Sequence, residues 1–512
     1  MTLETARIAS PAPARSWWRR GAGAAILAGI VVAGLLLRDD PAPPAAIVTA
    51  DRTAIAVLPF VSLSPDPEDH YFGDGLSEEL INNLSRVEGL RVAPRTSAFG
   101  FRDSTDLGAI GRALHVGTVV EGSVRRAGGA VRVTARLVSV ADGRQLWSAD
   151  FDQRRADDVF AIQDSISRNI VREILPRLEV VAGLTPNFFR TANGAAHDLY
   201  LKGRFFWNLR SRAGITRAID LFRQAITLDS TYPAAHAGLA DAYAVAAFYD
   251  YLLPATAFPE ARRAAERALA LDPSAGEPHA TLAYVLMYHD WRYREAEREF
   301  QTAIRLRPGY SVAHQWYANL LTVLGRYDEA DAQWQRAREL EPLSLIQIAA
   351  PGWMAYYQRD YRRMAALERD VLARDSTFVL GHYWLGLALE QLGEHQAAIA
   401  ALEGARALSG EGALALTGLA HARAVGGDRN GALAIVRALE RQAEAGEHLP
   451  SFEVATAYAG LGDADRAIRW LERAYQERSH SMPFLPTDPR FDSLRDDPRF
   501  QRLMTRVAAG GS

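Results

Sequence analysis

From about residue 199 to its end, the chain repeats a pattern of small and bulky residues with a period of about 34 residues. In each unit, alanines seven positions apart flank a third apolar residue, and all three share one face of a helix. Prolines follow the leucines that end several units, and proline cannot continue a helix. Each unit is therefore predicted to be a helical hairpin that buries its apolar face by stacking on its neighbours. The residues predicted to pack where helices meet are Ala218, Phe222, Ala296, Phe300, Ala330, Trp334, Ala398 and Ala467.

These units resemble the tetratricopeptide repeat family. About eight of them are predicted within residues 197–482. The second carries an insertion around residues 249–259, and the fifth is degenerate at Pro351, Gly352 and Met364. The resemblance implies an all-α superhelix whose concave groove binds a protein or peptide partner. The units are predicted to start near Leu199, Pro233, Gly276, Ser311, Leu345, Val379, Ala413 and His448.

The aromatic residues inside the repeats are predicted to lie mostly in the core. The cluster at the insertion is the exception, because there the regular hairpin is interrupted. Phe248, Tyr249 and Tyr251 are predicted to contact the partner.

Two other residue types recur at fixed places in the units. Glycine follows leucine where the two helices of a unit join, and we expect a left-handed turn there. Histidines recur one full unit apart, which is too far for them to share a metal ion, so they are predicted to be packing residues. The glycines are Gly325, Gly393 and Gly462, and the histidines are His236, His279, His314 and His382.

Residues 53–184 alternate strand and helix patterns and predict an α/β domain with a mixed sheet. Asp74 or Ser77 is expected to cap the first helix of this domain. The predicted strands cover residues 55–58, 90–93, 118–125, 131–138 and 145–151, and the predicted helices cover residues 76–84, 106–114 and 159–178.

Seven stretches of this domain resemble the TolB amino-terminal-like domain of bacterial signalling proteins. In that family the domain accompanies an adenylate cyclase, a serine/threonine kinase or a winged-helix DNA-binding domain. Only about 20 residues precede the apolar segment at residues 21–37, too few for such a domain. The resemblance therefore implies a sensory or scaffolding half. The stretches are IAVLPF, YFGDGLSEEL, RVAPRTSAF, VEGSVR, VRVTARLV, QLWS and DVFAIQD.

Residues 21–37 form an uninterrupted apolar run, predicted to be a single-pass transmembrane helix. Trp18 and Arg19 precede the run, which places positive charge on the cytoplasmic side. We therefore expect residues 1–20 in the cytoplasm and the bulk of the chain in the periplasm of a bacterial inner membrane, beyond a Pro/Ala-rich tether at residues 38–52. A cleaved signal peptide is the alternative, but charged residues follow the run immediately and favour an anchor.

Two stretches could carry chemistry. Gly73 and Gly75 beside Asp74 could cradle a phosphate, but the Walker lysine is missing and a turn with a cap is favoured. Asp66, Glu68, Asp69 and Asp74 could hold calcium, but a solvated loop fits their spacing better. The chain has no cysteine, and its net charge of −3 gives no reason to expect nucleic acid. No cofactor, metal or catalytic residue is predicted.

Residues 483–512 are predicted to cap the last hairpin. Together these features predict a membrane-anchored periplasmic scaffold that binds protein partners in its repeat groove and is not an enzyme. The alternative is a regulatory or sensor component of a signalling system whose effector domain, an adenylate cyclase, kinase or transcription regulator, lies on another chain.

Overall fold

A computed structural model describes residues 53–64, 69–87, 89–127, 130–153, 159–174, 190–410, 412–445 and 449–510. The cytoplasmic segment, the transmembrane helix and the tether, predicted for residues 1–20, 21–37 and 38–52, lie outside these residues. Among the helices that the structure describes, none is both long enough and apolar enough to cross a bilayer.

The amino-terminal domain is built on a mixed sheet, as predicted. The described strands follow the order β3-β1-β4-β5-β6, with β2 pairing with β4 beyond the end of β1. β1 runs parallel to β3 and β4, whereas β4, β5 and β6 are antiparallel. The strands are β1 Ala54–Val57, β2 Val61–Ser62, β3 Arg91–Val92, β4 Thr118–Ala127, β5 Ala130–Ser139 and β6 Gln145–Gln153. The helices are α1 His70–Leu84, α2 Arg95–Phe99, α3 Leu107–Leu114 and α4 Val159–Ile174.

The predicted start of α1 is wrong. The helix begins at His70, so Asp74 and Ser77 lie inside it and cap nothing, and the Gly73 to Gly75 stretch is helical rather than a turn. Gly73 is needed for packing, because a Cβ atom there would lie 2.4 Å from the carbonyl oxygen of Phe60. The Ser77 hydroxyl accepts a hydrogen bond from the Phe60 amide at 2.9 Å. Tertiary contact with the segment after β1 therefore overrides the low helix propensity of glycine.

The repeats form eight consecutive helical hairpins. In six units the first helix begins at the predicted residue. In the first unit it begins at Gly194, before the predicted Leu199; in the last it begins at Ser451, and the predicted start at His448 lies outside the described residues. The first helices are α5 Gly194–Asn208, α7 Pro233–Phe248, α9 Gly276–Val285, α11 Ser311–Val323, α13 Leu345–Tyr357, α15 Val379–Gln391, α17 Ala413–Val425 and α19 Ser451–Gly460. The second helices are α6 Arg212–Leu228, α8 Pro254–Leu271, α10 Tyr293–Leu306, α12 Tyr327–Leu340, α14 Tyr361–Arg374, α16 His395–Ser409, α18 Arg429–Glu444 and α20 Ala464–Gln476.

The small residues of the repeat pattern lie in the core. All eight residues predicted to pack between helices are buried, with at most 2% of their surface exposed. Gly325, Gly393 and Gly462 adopt the predicted left-handed conformation, with φ of +70°, +79° and +70°. The unit predicted to be degenerate is a regular hairpin, with Pro351 inside α13. The insertion in the second unit is largely helical, because α8 runs through Pro259.

The carboxyl-terminal residues cap the last hairpin and also cross the concave face of the repeats. Helix α21 (Pro498–Gly510) is tied to α20 by an ion pair from Arg506 to Glu472 at 2.8 Å. Before it, two 3₁₀ turns span Met482–Phe484 and Pro489–Leu494. We call residues 479–497 the crossing segment. Its Phe484 stacks on Tyr357 of the fifth unit, with ring centroids 4.6 Å apart.

The superhelix also contacts itself across one turn. Trp291 of the third unit is buried and lies 5.0 Å from the ring of Tyr475 in the eighth unit. The guanidinium of Arg478 covers the Trp291 ring at 4.2 Å. The third and eighth units are therefore in direct contact, although four units lie between them in the sequence.

Candidate binding cavity

The first helices of the repeats enclose a cavity of about 1680 Å³. It is bounded as well by α1 of the mixed-sheet domain and by the crossing segment. Aromatic side chains from several units form much of the wall. They include Trp207, Tyr249, Tyr284, Tyr288, Trp316, Trp353 and Trp384.

One side of the cavity is closed by an ion-pair network with the mixed-sheet domain. Glu78 of α1 accepts hydrogen bonds from Arg204 of the first unit at 2.6 and 3.0 Å, and pairs with Arg95 at 3.0 Å. Burial alone would raise the pKa of Glu78, but the two guanidinium groups hold it below its usual range. The carboxylate therefore stays ionised and ties the domain to the repeats.

Further contacts continue this junction along the third and fourth units. Asn82 of α1 accepts a hydrogen bond from Arg307. The Thr96 hydroxyl donates to Glu341 at 2.7 Å, and the Ser97 hydroxyl accepts from the Leu343 amide at 3.3 Å. The mixed-sheet domain thus covers part of the repeat surface.

On the opposite side, the predicted partner-contact residues line the cavity but also pack within it. The Phe248 ring lies 5.5 Å from Tyr288 and 4.6 Å from His480 of the crossing segment. Tyr249 stacks on Tyr251 with centroids 5.6 Å apart. Phe248 therefore belongs partly to the core, and contact of the three residues with a partner stays a prediction.

The acidic residues considered for calcium are divided among separate contacts. Asp66 and Glu68 lie outside the described residues. Asp69 pairs with Arg126 at 3.3 Å, and Asp74 is buried and pairs with Arg102 at 2.7 Å. In the part of the chain that the structure describes, no group of three or more His, Cys, Asp or Glu residues could hold a metal ion.

The recurring histidines form hydrogen bonds within the repeats. Three of them bond through Nε2 to the carbonyl oxygen six residues earlier: His236 at 3.1 Å, His314 at 3.1 Å and His382 at 2.9 Å. His279 instead contacts Glu299 at 2.6 Å. These bonds support the structural role that the spacing predicted.

Two polar residues of the cavity were missed by the sequence analysis. Asp241 accepts a hydrogen bond from Thr281 at 2.5 Å and lies 3.7 Å from Arg204. Burial raises its pKa to about 6, although Arg204 acts in the opposite direction. Arg210 follows the last turn of α5 and lies over the Trp207 ring at 3.6 Å. The sequence does contain one indication that Arg210 is unusual. It occupies the turn position where later units have glycine.

Two family models match parts of the chain. One lies within the repeats, and the other covers most of the mixed-sheet domain. Residues 381–405 match the tetratricopeptide repeat family. Residues 51–169 match a family described as the second domain of HilA/YgeH-like transcriptional regulators. Resemblance to the TolB amino-terminal-like domain stays a prediction. The chain thus places tetratricopeptide-like helical hairpins behind a small mixed-sheet domain.

Two relatives and one solved structure share part of the chain. "Putative adenylate cyclase 3" of Rhizobium meliloti (strain 1021) is 34% identical over 255 residues, 48% of this chain and 42% of that protein. "Anaphase-promoting complex subunit 3" of Schizosaccharomyces pombe is 27% identical over 154 residues, 29% of this chain and 22% of that protein. This chain therefore spans less than half the length of both relatives. Yeast Tom70 is similar in structure with a TM-score of 0.40 and 15% identity, over 60% of this chain and 67% of that one.

Proposed function

We propose that this protein is an interaction scaffold whose repeat groove binds a short segment of a protein partner. The observation that carries the proposal is that the groove already holds such a segment, the crossing segment of this chain. Phe484 sits against Tyr357 and Trp353, with the Trp353 centroid 5.9 Å away. Arg490 is 4% exposed and pairs with Glu453 at 2.7 Å. Aromatic pockets with a buried ion pair are a general mode of peptide recognition.

A site-specific photocrosslinker tests this proposal in the cell that makes the protein. Tyr249 lines the cavity, whereas Gln335 is exposed on the second helix of the fourth unit and serves as the matched control. We expect a crosslinker at position 249 to give one discrete product with another protein and the same crosslinker at position 335 to give none. A product from position 335 alone would show that partners bind outside the groove.

A second candidate function is favoured by the comparisons. The family matched by residues 51–169 is named for transcriptional regulators, and the relative from Rhizobium meliloti is named a putative adenylate cyclase. We propose as the alternative that the chain is the sensor or regulatory part of such a system, without catalysis of its own. Under this alternative, adenylate cyclase activity should co-purify with the chain from source membranes, and immunodepletion of the chain should remove it. Cyclic AMP formation by the purified chain alone would contradict the proposal that it is not an enzyme.

We also propose that residues 21–37 anchor the chain in the inner membrane with the repeats in the periplasm. The basic residues before the run and the acids after it support this orientation. Alkaline phosphatase fused after Ser512 should then be active, because this enzyme folds only outside the cytoplasm. An inactive phosphatase together with an active cytoplasmic reporter at the same position would reverse the orientation.

A further inference from the structure

One cation inside the cavity lacks a counter-charge. Arg210 is an exposed residue that lines the cavity. Its guanidinium makes no hydrogen bond or ion pair with any residue in the described ranges, and its contact is the face of Trp207 at 3.6 Å. The indole Nε1 of Trp207 also lacks an acceptor among the described residues. Of these two donors, Nε1 is buried, and the guanidinium of Arg210 is the one on a residue that is exposed and lines the cavity.

The acidic residues nearby are already engaged. Glu78 is held by Arg204 and Arg95, and Asp241 by Thr281 and Arg204. They lessen the positive field around Arg210 without pairing with it. The site is therefore suited to one negative charge, and a dianion would need compensation that the site does not offer.

The backbone of Arg210 adopts the left-handed conformation, which is uncommon for a residue with a side chain. Arg210 has φ of +54°, at the turn where four other units have glycine with positive φ. Three more units place a non-glycine residue in this conformation: Asp250, Trp291 and Arg359. Each of those side chains contacts the carboxyl-terminal part of the chain, namely His480 at 3.7 Å, Tyr475 at 5.0 Å and Asp492 at 2.5 Å. Left-handed non-glycine residues are strained and persist where a contact needs them, and Arg210 alone of the four has no such contact within the described residues.

We propose that the cavity binds a small aromatic or apolar molecule carrying one carboxylate, with the carboxylate on Arg210. A guanidinium matches the two oxygens of a carboxylate with two parallel hydrogen bonds. The body of the molecule lies among the rings of Tyr249, Tyr284 and Trp316, which also line the cavity. This site does not depend on the proposed binding of a protein partner.

Calorimetric titration of the purified full chain tests the proposal with three probes, benzoate, 1-naphthoate and indole-3-acetate, each against its neutral primary amide. We expect at least one acid to bind about tenfold or more tightly than its amide, because a charged hydrogen bond is lost in the amide. In Arg210→Gly the preference should vanish. Glycine suits the left-handed turn, so the melting temperature of this variant should not fall.

Arg359→Gly is the matched control, because Arg359 holds the same turn position with φ of +66° and does not line the cavity. It should keep the preference for the acid. Equal binding of acid and amide in all three pairs, or a preference that survives Arg210→Gly, would overturn the proposal. A ten-residue peptide ending in phenylalanine with a free carboxylate is a further arm. Binding of that peptide but none of the three acids would overturn the assignment to a small molecule.

Discussion

The buried side chain of Glu368 in α14 is predicted to lower the free energy of unfolding as the pH rises from 4.5 toward neutrality. Its side chain is fully buried, and neither carboxylate oxygen has a hydrogen-bond partner among the described residues. Gly352 on the facing helix leaves just enough room, because a Cβ atom there would lie 2.6 Å from a Glu368 oxygen. Burial raises the pKa of Glu368 from 4.5 to about 9. The folded state therefore holds this acid in its protonated form at neutral pH.

The sign and size of the effect follow from proton linkage. The folded pKa is raised, so stability is fully present below the unfolded pKa of 4.5 and is lost as pH rises toward the folded pKa of about 9. Between pH 4.5 and pH 7 the loss is about 3 kcal/mol, at about 1.4 kcal/mol per pH unit. Glu368→Gln keeps the shape of the side chain and removes the ionisation. It should therefore be stabilising by up to about 3 kcal/mol at pH 7 and nearly neutral at pH 4.

The assay is thermal unfolding of both proteins between pH 4 and pH 8. If the unit Ala50–Ser512 unfolds as one body, 3 kcal/mol corresponds to a shift of about 3 °C in melting temperature, from an unfolding entropy of about 2.1 cal/mol/K per residue. Asp370→Asn is the matched control on the same helix, since Asp370 is exposed and pairs with Arg374. A difference between Glu368→Gln and the parent that does not grow with pH would refute the reasoning.

Three further predictions concern packing and buried charge, each measured by thermal or urea unfolding. Ala330→Leu should destabilise by about 1–3 kcal/mol because Ala330 is fully buried between helices, whereas Ala332→Leu on the exposed face of α12 should change little. Gly73→Ala should destabilise the mixed-sheet domain, whereas Gly309→Ala, with no atom within 4 Å of the added Cβ, should not. Arg490→Met should cost about 3–5 kcal/mol because it leaves two buried carboxylates unpaired. Melting temperatures equal to that of the parent in these three variants would contradict the packing described here.

The repeat register was predictable because local features define it. A unit must begin after a helix stop and must place small residues where helices touch, and both features are visible at Pro233, Ser311 and Val379. The left-handed turns were predictable for the same reason, since glycine at Gly325 and Gly393 marks them directly. These features depend on residues at most a few turns apart.

Other features depend on contacts that a single sequence does not display. The start of α1 was misplaced because close approach to Phe60, not propensity, decides the conformation of Gly73. The contact between the third and eighth units was missed because Trp291 and Tyr475 are remote in sequence. Glu368 gave no signal at all, since an acid in a helical repeat is ordinarily on the surface.

Contacts between distant units add to the contacts between neighbouring units that stabilise this repeat array. In an open array each unit contacts only its neighbours, so a local change loosens the chain locally. Here Arg359 of the fifth unit pairs with Asp492 at 2.5 Å, and Trp291 of the third unit is buried beneath Arg478. The crossing segment and the eighth unit therefore connect units that do not touch along the array. The same segment places His480 against Phe248, and both residues line the cavity.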